Sequence, residues 1–300
     1  MNKRYIVLSL AFLPQLLCAC LPAQDPLRPG DDLHDKGETL MREDKFSEAI
    51  PVLQQALNQR LLLGKENRFY NYTKFDLAKC YARTGKLDEA QKLLKECQPY
   101  VVLFEASCLE ELAEVADGKK QYEDAESYYK EAIKLQEKDG YHSVDIVRDR
   151  RKLAEVAEKF GDYELAETQW TWLNDNESKN YDGIARAFGT FDLAEYYSRR
   201  GDFEKAEPFY KETCKIMDTE HKGTKEYIGW YYTKMGDFYL ANKKLPQAKA
   251  AYLKALEMYK KGRKLPMVAP EPTPGIRESH PPVHVLLSDQ VETEKKLSKL

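Results

Sequence analysis

The sequence predicts an all-α protein built as a solenoid of about six stacked helix–turn–helix units. Three observations carry that expectation. A short pattern of residue types recurs six times. Its closing alanines, at positions 49, 90, 125, 166, 206 and 248, are spaced by 41, 35, 41, 40 and 42 residues. A recurring period in this range marks a stacked repeat array. Glycine and proline are also sparse through the middle of the chain, as a run of helices requires. The 300 residues are 42% hydrophobic, enough for a sizeable core. Charges of both signs are interspersed to a net of -3, which predicts no general affinity for nucleic acid.

The chain opens with Lys3 and Arg4, then an apolar stretch from Tyr5 to Leu17. That is about 13 residues, short of the ~20 that span a bilayer, and it has the form of a signal peptide. It ends in Leu17-Cys18-Ala19-Cys20, which resembles a bacterial lipobox. The resemblance implies cleavage after residue 19 and lipidation of Cys20; ordinary cleavage near Ala19 or Ala23 with release, or retention, are the alternatives. Residues 20–30, rich in proline and polar residues, read as a tether.

The solenoid is expected over 31–262. Its unit is clearest in Leu77-Ala78…Tyr81…Gly85…Leu87…Ala90, Leu153-Ala154…Ala157…Gly161…Tyr163…Ala166 and Leu193-Ala194…Tyr197…Gly201…Phe203…Ala206. Leu and a small residue, followed by a residue three positions on, share one face of a first helix. Gly at the turn lets the backbone leave that helix in a left-handed conformation. The closing Ala lets the two helices approach. Bulky residues four positions later (Leu53, Leu94, Tyr129, Trp170, Tyr210, Tyr252) fill the space toward neighbours, which explains much of the 20-tyrosine content. Units one, three and six carry Asp44, Lys120 and Lys243 at the turn instead of Gly.

This pattern is similar to the tetratricopeptide repeat, in the long-period variety of kinesin light chains. The resemblance implies a right-handed superhelix whose concave wall is built from the first helix of each unit. The concave positions it implies include Tyr72 and Phe75 in unit two, Glu110 and Glu114 in unit three, and Arg151 and Glu155 in unit four. In unit five they include Phe188, Phe191 and Glu195, and in unit six Trp230 and Asp237. Such a groove is aromatic at two places and acidic along its middle and end. It would suit a protein or peptide partner with basic and apolar residues. Burial of the phenylalanines in the core, and solvation of the acids, are the plainer alternatives. The residues after the small position (Glu38, Lys79, Glu114, Glu155, Glu195, Asp237) are not the Asn of the chaperone-binding members, which argues against an acidic chaperone tail as ligand.

Cys80, Cys97, Cys108 and Cys214 remain beyond the leader; Cys97 and Cys108 could bridge across a turn, or all four could be buried packing residues. His280 and His284 have no ligand cluster around them, so no metal site is expected there. The catalytic motifs searched for, a Gly-rich phosphate loop, G-x-S-x-G and H-E-x-x-H, do not occur. Neither an enzyme nor a bound cofactor is expected. Residues 263–282 read as a proline-rich linker and 283–300 as a tail of helical potential, either frayed or folded back on the last unit or the groove.

The function these features favour is an envelope-anchored interaction scaffold or adaptor. An assembly-helper lipoprotein, a self-assembling structural element and an accessory subunit of an enzyme complex are the alternatives. Export to a bacterial envelope is expected, with Leu21 after Cys20 favouring the outer membrane; a secreted or periplasmic soluble form is the alternative. The oligomeric state stays open.

Overall fold

The structure, a computed structural model, describes residues 28–101, 105–138, 144–180, 183–220, 225–262 and 283–300. The leader, Cys20, most of the tether and the proline-rich linker lie outside them. The described residues form thirteen α-helices and no strand. Twelve of them pair into the six units. Unit one is α1 (Asp31–Arg42) with α2 (Phe46–Arg60), and unit two is α3 (Arg68–Arg83) with α4 (Leu87–Cys97). Unit three is α5 (Glu105–Gly118) with α6 (Tyr122–Lys138), and unit four is α7 (Val144–Phe160) with α8 (Tyr163–Asn180). Unit five is α9 (Gly183–Arg199) with α10 (Phe203–Glu220), and unit six is α11 (Lys225–Ala241) with α12 (Leu245–Gly262). A final helix, α13 (Val283–Leu297), lies against α11 and α12. Each helix packs chiefly on its neighbours in sequence, as in a solenoid.

The turn within every unit is the same device. One or two residues after the first helix the backbone takes positive φ in all six: Asp44 (58°), Gly85 (81°), Lys120 (61°), Gly161 (94°), Gly201 (74°) and Lys243 (58°). The next N–H then donates to the carbonyl five residues back. Lys45 reaches Leu40, Lys86 reaches Tyr81, and Gln121 reaches Ala116, at 2.9, 2.9 and 2.8 Å. Asp162, Asp202 and Lys244 do the same to Ala157, Tyr197 and Tyr239, each at 2.9 Å. This closes the orphan carbonyls of the first helix. In units four and five the residue after the glycine also starts the second helix. Asp162 Oδ1 accepts from Leu165 N at 3.0 Å, and Asp202 Oδ1 from Lys205 N at 3.2 Å. Three units thus reach the left-handed conformation without glycine, at an expected cost of about 1–2 kcal/mol each.

The helices of a unit meet at a small residue facing a large one. All six closing alanines are fully buried, and Leu53, Leu94, Tyr129, Trp170, Tyr210 and Tyr252 are at most 4% exposed. A Cβ added at Gly37 would lie 2.4 Å from Leu53 Cδ2, and one at Gly236 would lie 2.5 Å from Tyr252 Cε1. In units one and six the large side chain therefore passes directly over a position that tolerates no Cβ. Burial of each large side chain contributes about 1.5–3 kcal/mol. One core runs without a break from Ala154 in unit four to Tyr252 in unit six.

Glycine at the strained turns should stabilise the fold. Lys120→Gly and Lys243→Gly are each expected to raise stability by about 1 kcal/mol, since relief of the left-handed strain exceeds the added chain entropy of glycine. Gly161→Lys should cost a similar amount, because a Cβ there meets nothing within 4 Å and only backbone strain changes. Urea midpoints at constant slope would check all three.

Candidate functional site

The first helices of neighbouring units stand side by side and are joined by ion pairs. Between α3 and α5, Arg83 meets Glu114 at 2.9 Å and Glu111 at 3.4 Å. Between α5 and α7, Arg148 meets Glu110 at 2.5 Å and Lys159 meets Asp117 at 2.6 Å. Between α7 and α9, Arg151 meets Asp192 at 2.9 Å and Arg199 meets Glu158 at 2.8 Å. The sequence predicts a groove that is acidic through its middle. The structure corrects this: Glu110 and Glu114 are partnered across unit boundaries, and the wall there is a ladder of both signs. Arg151 is likewise half-buried and paired.

Three acids of the first helices, two of them one position beyond the small residue, have a second structural duty. Tyr210 donates its hydroxyl to Glu195 at 2.5 Å, and Tyr252 donates to Asp237 at 2.7 Å. Trp170 Nε1 donates to Glu158 at 2.8 Å. The large side chain that crosses over the small residue ends in a polar atom, and an acid on the first helix receives it. Such a buried donor would otherwise cost about 1–3 kcal/mol. Glu155, half-buried, meets Lys152 of its own helix, at 3.3 Å.

Glu110 belongs to a node between units three and four. Gln136 Nε2 donates to Glu110 at 2.9 Å and to Asp149 at 2.7 Å, and Asp149 is 1% exposed. Arg148 reaches both carboxyls, at 2.5 and 3.2 Å. Burial, then the nearby Asp149 carboxylate, push the Glu110 carboxyl up to about 8. Burial also raises Asp149.

The aromatic positions divide. Phe75 and Phe188 are each 8% exposed, so the structure places them in the core and not as anchors offered to a partner. Their helical spacing is that of a packing stripe. Tyr72 is half-buried against the core of unit two, edge-on to Phe69 at 6.4 Å. Phe191 is half-buried in a cluster with Trp230 at 5.2 Å, Tyr231 at 5.1 Å and Tyr210 at 6.0 Å. Lys234 Nζ stands 5.2 Å from the Trp230 ring.

Helix α13 covers this end of the wall. Lys296 Nζ donates to both Asp237 oxygens, at 2.8 and 3.0 Å. Thr293, fully buried, is 3.0 Å from Thr233 through the hydroxyls. Leu297, like Trp230, Tyr227 and Tyr232, packs onto Ala255, Leu256 and Tyr259. Asp237, a concave position of unit six, and Thr233 on the same helix therefore meet the chain's own last helix.

The four described cysteines are buried free thiols. Cys97 and Cys108 both point a sulfur at the Leu94 carbonyl, at 3.4 and 3.7 Å. Burial pushes the Cys80 thiol up to about 12, leaving it unreactive at neutral pH. One grouping escaped the sequence reading. His34 Nε2 lies 2.9 Å from Asp76 and Nδ1 lies 3.8 Å from Glu38. The trio has metal-ligand types within 4.8 Å of one another, but it is already closed as a contact between α1 and α3.

Residues 183–261 and 106–139 match tetratricopeptide repeat families, so the chain carries tetratricopeptide repeats over those stretches. Solved structures share the fold. A putative kinesin light chain with nearly identical TPR-like repeats from Podosopora anserina is 17% identical, over 62% of this chain and 93% of that one, with a TM-score of 0.56. BtubC (BKLC) from P. vanneervenii is 15% identical, over 76% and 96%, with a TM-score of 0.56. The pilF protein of Pseudomonas aeruginosa is 13% identical, over 77% and 92%, with a TM-score of 0.50. The curated proteins contain no match to this sequence.

The node at Glu110 predicts a pH dependence. Between the ordinary carboxyl value of 4.5 and about 8, the folded chain holds a proton that the unfolded chain releases. Stability contributed by this proton is complete below the ordinary value and is lost as pH rises toward 8. Melting temperature followed from pH 5 to 8 should fall more steeply in the parent than in Glu110→Gln.

Proposed function

We propose that this protein is an interaction scaffold whose receptor surface is the wall of units five and six, tethered to a bacterial envelope membrane through Cys20. Its ligand is a helical segment carrying a basic residue next to an apolar one. The observation that carries this reading is α13. It sits on that wall with Lys296 on Asp237, Thr293 on Thr233, and Leu297 packed on the same Ala255–Leu256–Tyr259 cluster as Trp230. The chain thereby supplies an internal example of the ligand chemistry. A charge pair there sets register, and the aromatic cluster supplies most of the affinity. The middle of the wall has its charges already paired and offers less to a partner. The signal segment and lipobox-like Leu17-Cys18-Ala19-Cys20 support the tether.

In this account α13 competes with a partner. A chain ending at Gly262 should bind a peptide of residues 283–300 added in trans, whereas the full chain should bind it weakly. Asp237→Asn should weaken that binding about fivefold, because the Lys296–Asp237 pair is partly exposed and worth about 1 kcal/mol. Calorimetric titration of both chains checks this; equal binding by full and shortened chains would rule out the competition.

A further inference from the structure

The loop between α2 and α3 carries three consecutive leucines, Leu61–Leu63, in a single 3-10 turn. Leu61 is 45% exposed and Leu62 is 83% exposed, further out than any other large apolar side chain among the described residues. Leu63 is half-buried and Leu61 is partly covered, whereas Leu62 stands almost clear of the fold. The turn ends at Gly64, whose φ of 94° sets the chain direction, and a Cβ at that position would touch nothing. A polar residue would serve the loop equally well at Leu62, so that side chain, with Leu61 beside it, calls for a contact outside the chain.

The described chain begins beside this loop. Arg28 and Arg60 both pair with Asp31, at 3.0 and 2.6 Å. Arg28, Arg60 and Arg68 also lie around the Phe69 ring, at 3.6, 5.9 and 4.6 Å. Cys20 is eight residues before Arg28 in sequence. Eight residues span at most about 28 Å. A lipid on Cys20 would hold this end of the solenoid, and no other, within reach of a bilayer. Lys65 and Arg68 are exposed next to the leucines. Exposed Glu66 and Asp32 offset them, and with Arg28, Arg60 and Asp31 included four cations stand against three carboxylates, a balance of +1. Apolar insertion would thus carry the contact, assisted by anionic headgroups.

We infer that the Leu61–Leu63 loop is a membrane-contact tip that inserts into the headgroup–acyl boundary of an anionic bilayer. It would fix how the solenoid stands on the membrane. The inference rests on the tethered reading above, and the two are tested separately. The full chain would be mixed with phosphatidylglycerol/phosphatidylethanolamine vesicles containing acyl-chain-brominated lipid. Leu62→Trp would report on the loop. Leu253→Trp, at an exposed leucine of α12 (52%), would serve as the control. The emission each variant adds over the parent is the readout. The loop variant should shift to the blue and lose at least about half its added emission to bromine, and the control should do neither. Absence of quenching at the loop, or equal quenching at both sites, overturns the inference. The mass of the mature N-terminus reports acylation of Cys20 independently. An acylated chain with an unquenched loop removes only the tip, and an unmodified chain with a quenched loop removes only the anchor.

Discussion

The whole structure depends on one steric relation: a small residue on each first helix lies beneath a large residue on the second. The pairs are Gly37 with Leu53, Ala78 with Leu94, Ala113 with Tyr129, Ala154 with Trp170, Ala194 with Tyr210, and Gly236 with Tyr252. The interval is 16 residues in every unit. A constant interval fixes a constant turn, and the turn is the same left-handed closure six times over. Where glycine is absent the closure is still imposed on Asp44, Lys120 and Lys243. Helix packing therefore dominates local backbone preference here, since the unit cannot close any other way without parting the small and large residues.

The same relation explains the charge on the wall. When the large residue is Tyr or Trp, its polar atom emerges near the first helix and needs an acceptor. Glu195, Asp237 and Glu158 meet that need. Other acids face bases on the next unit, such as Asp117 with Lys159, and Glu158 does both, meeting Arg199 as well as Trp170. Much of the acidity along the wall is thus a consequence of packing and stacking. The described stack of paired helices ends at unit six. There the next first helix is replaced by α13, whose Lys296 takes the place that a base of a further unit would hold on Asp237.

The fold was legible in the sequence because it is written locally. The closing alanines, the turn positions and the large residues all fall within one unit. The alanines and large residues are buried, and the turns are left-handed, at Gly85, Gly161 and Gly201 as the residue type implies and at Asp44, Lys120 and Lys243 by their place in the repeat. The wall was less legible. Its ion pairs join residues 28 to 42 apart, Arg83 with Glu111 at the lower end and Lys159 with Asp117 at the upper. A signal was present: acids four positions past the small residue (Asp117, Glu158) precede bases five past it in the next unit (Lys159, Arg199). Comparing charges one period apart would have exposed the ladder. Phe75 and Phe188 could not be placed by spacing alone, because the boundary between wall and core falls within a single helical turn. The docking of α13 was readable only as an alternative, since nothing local in Thr293 or Lys296 names Thr233 or Asp237 as partner.

The account stands or falls on the small-over-large contact and its local reach. Hydrogen exchange on Gly236→Val tests it most directly, because a Cβ there would lie 2.5 Å from Tyr252. Overpacking of this kind costs about 1–3 kcal/mol or more. The account predicts lost protection in α11, α12 and α13, with α1 to α6 unchanged, since units interact mainly with neighbours. Protection retained in α11 to α13, or lost evenly along the chain, would contradict it.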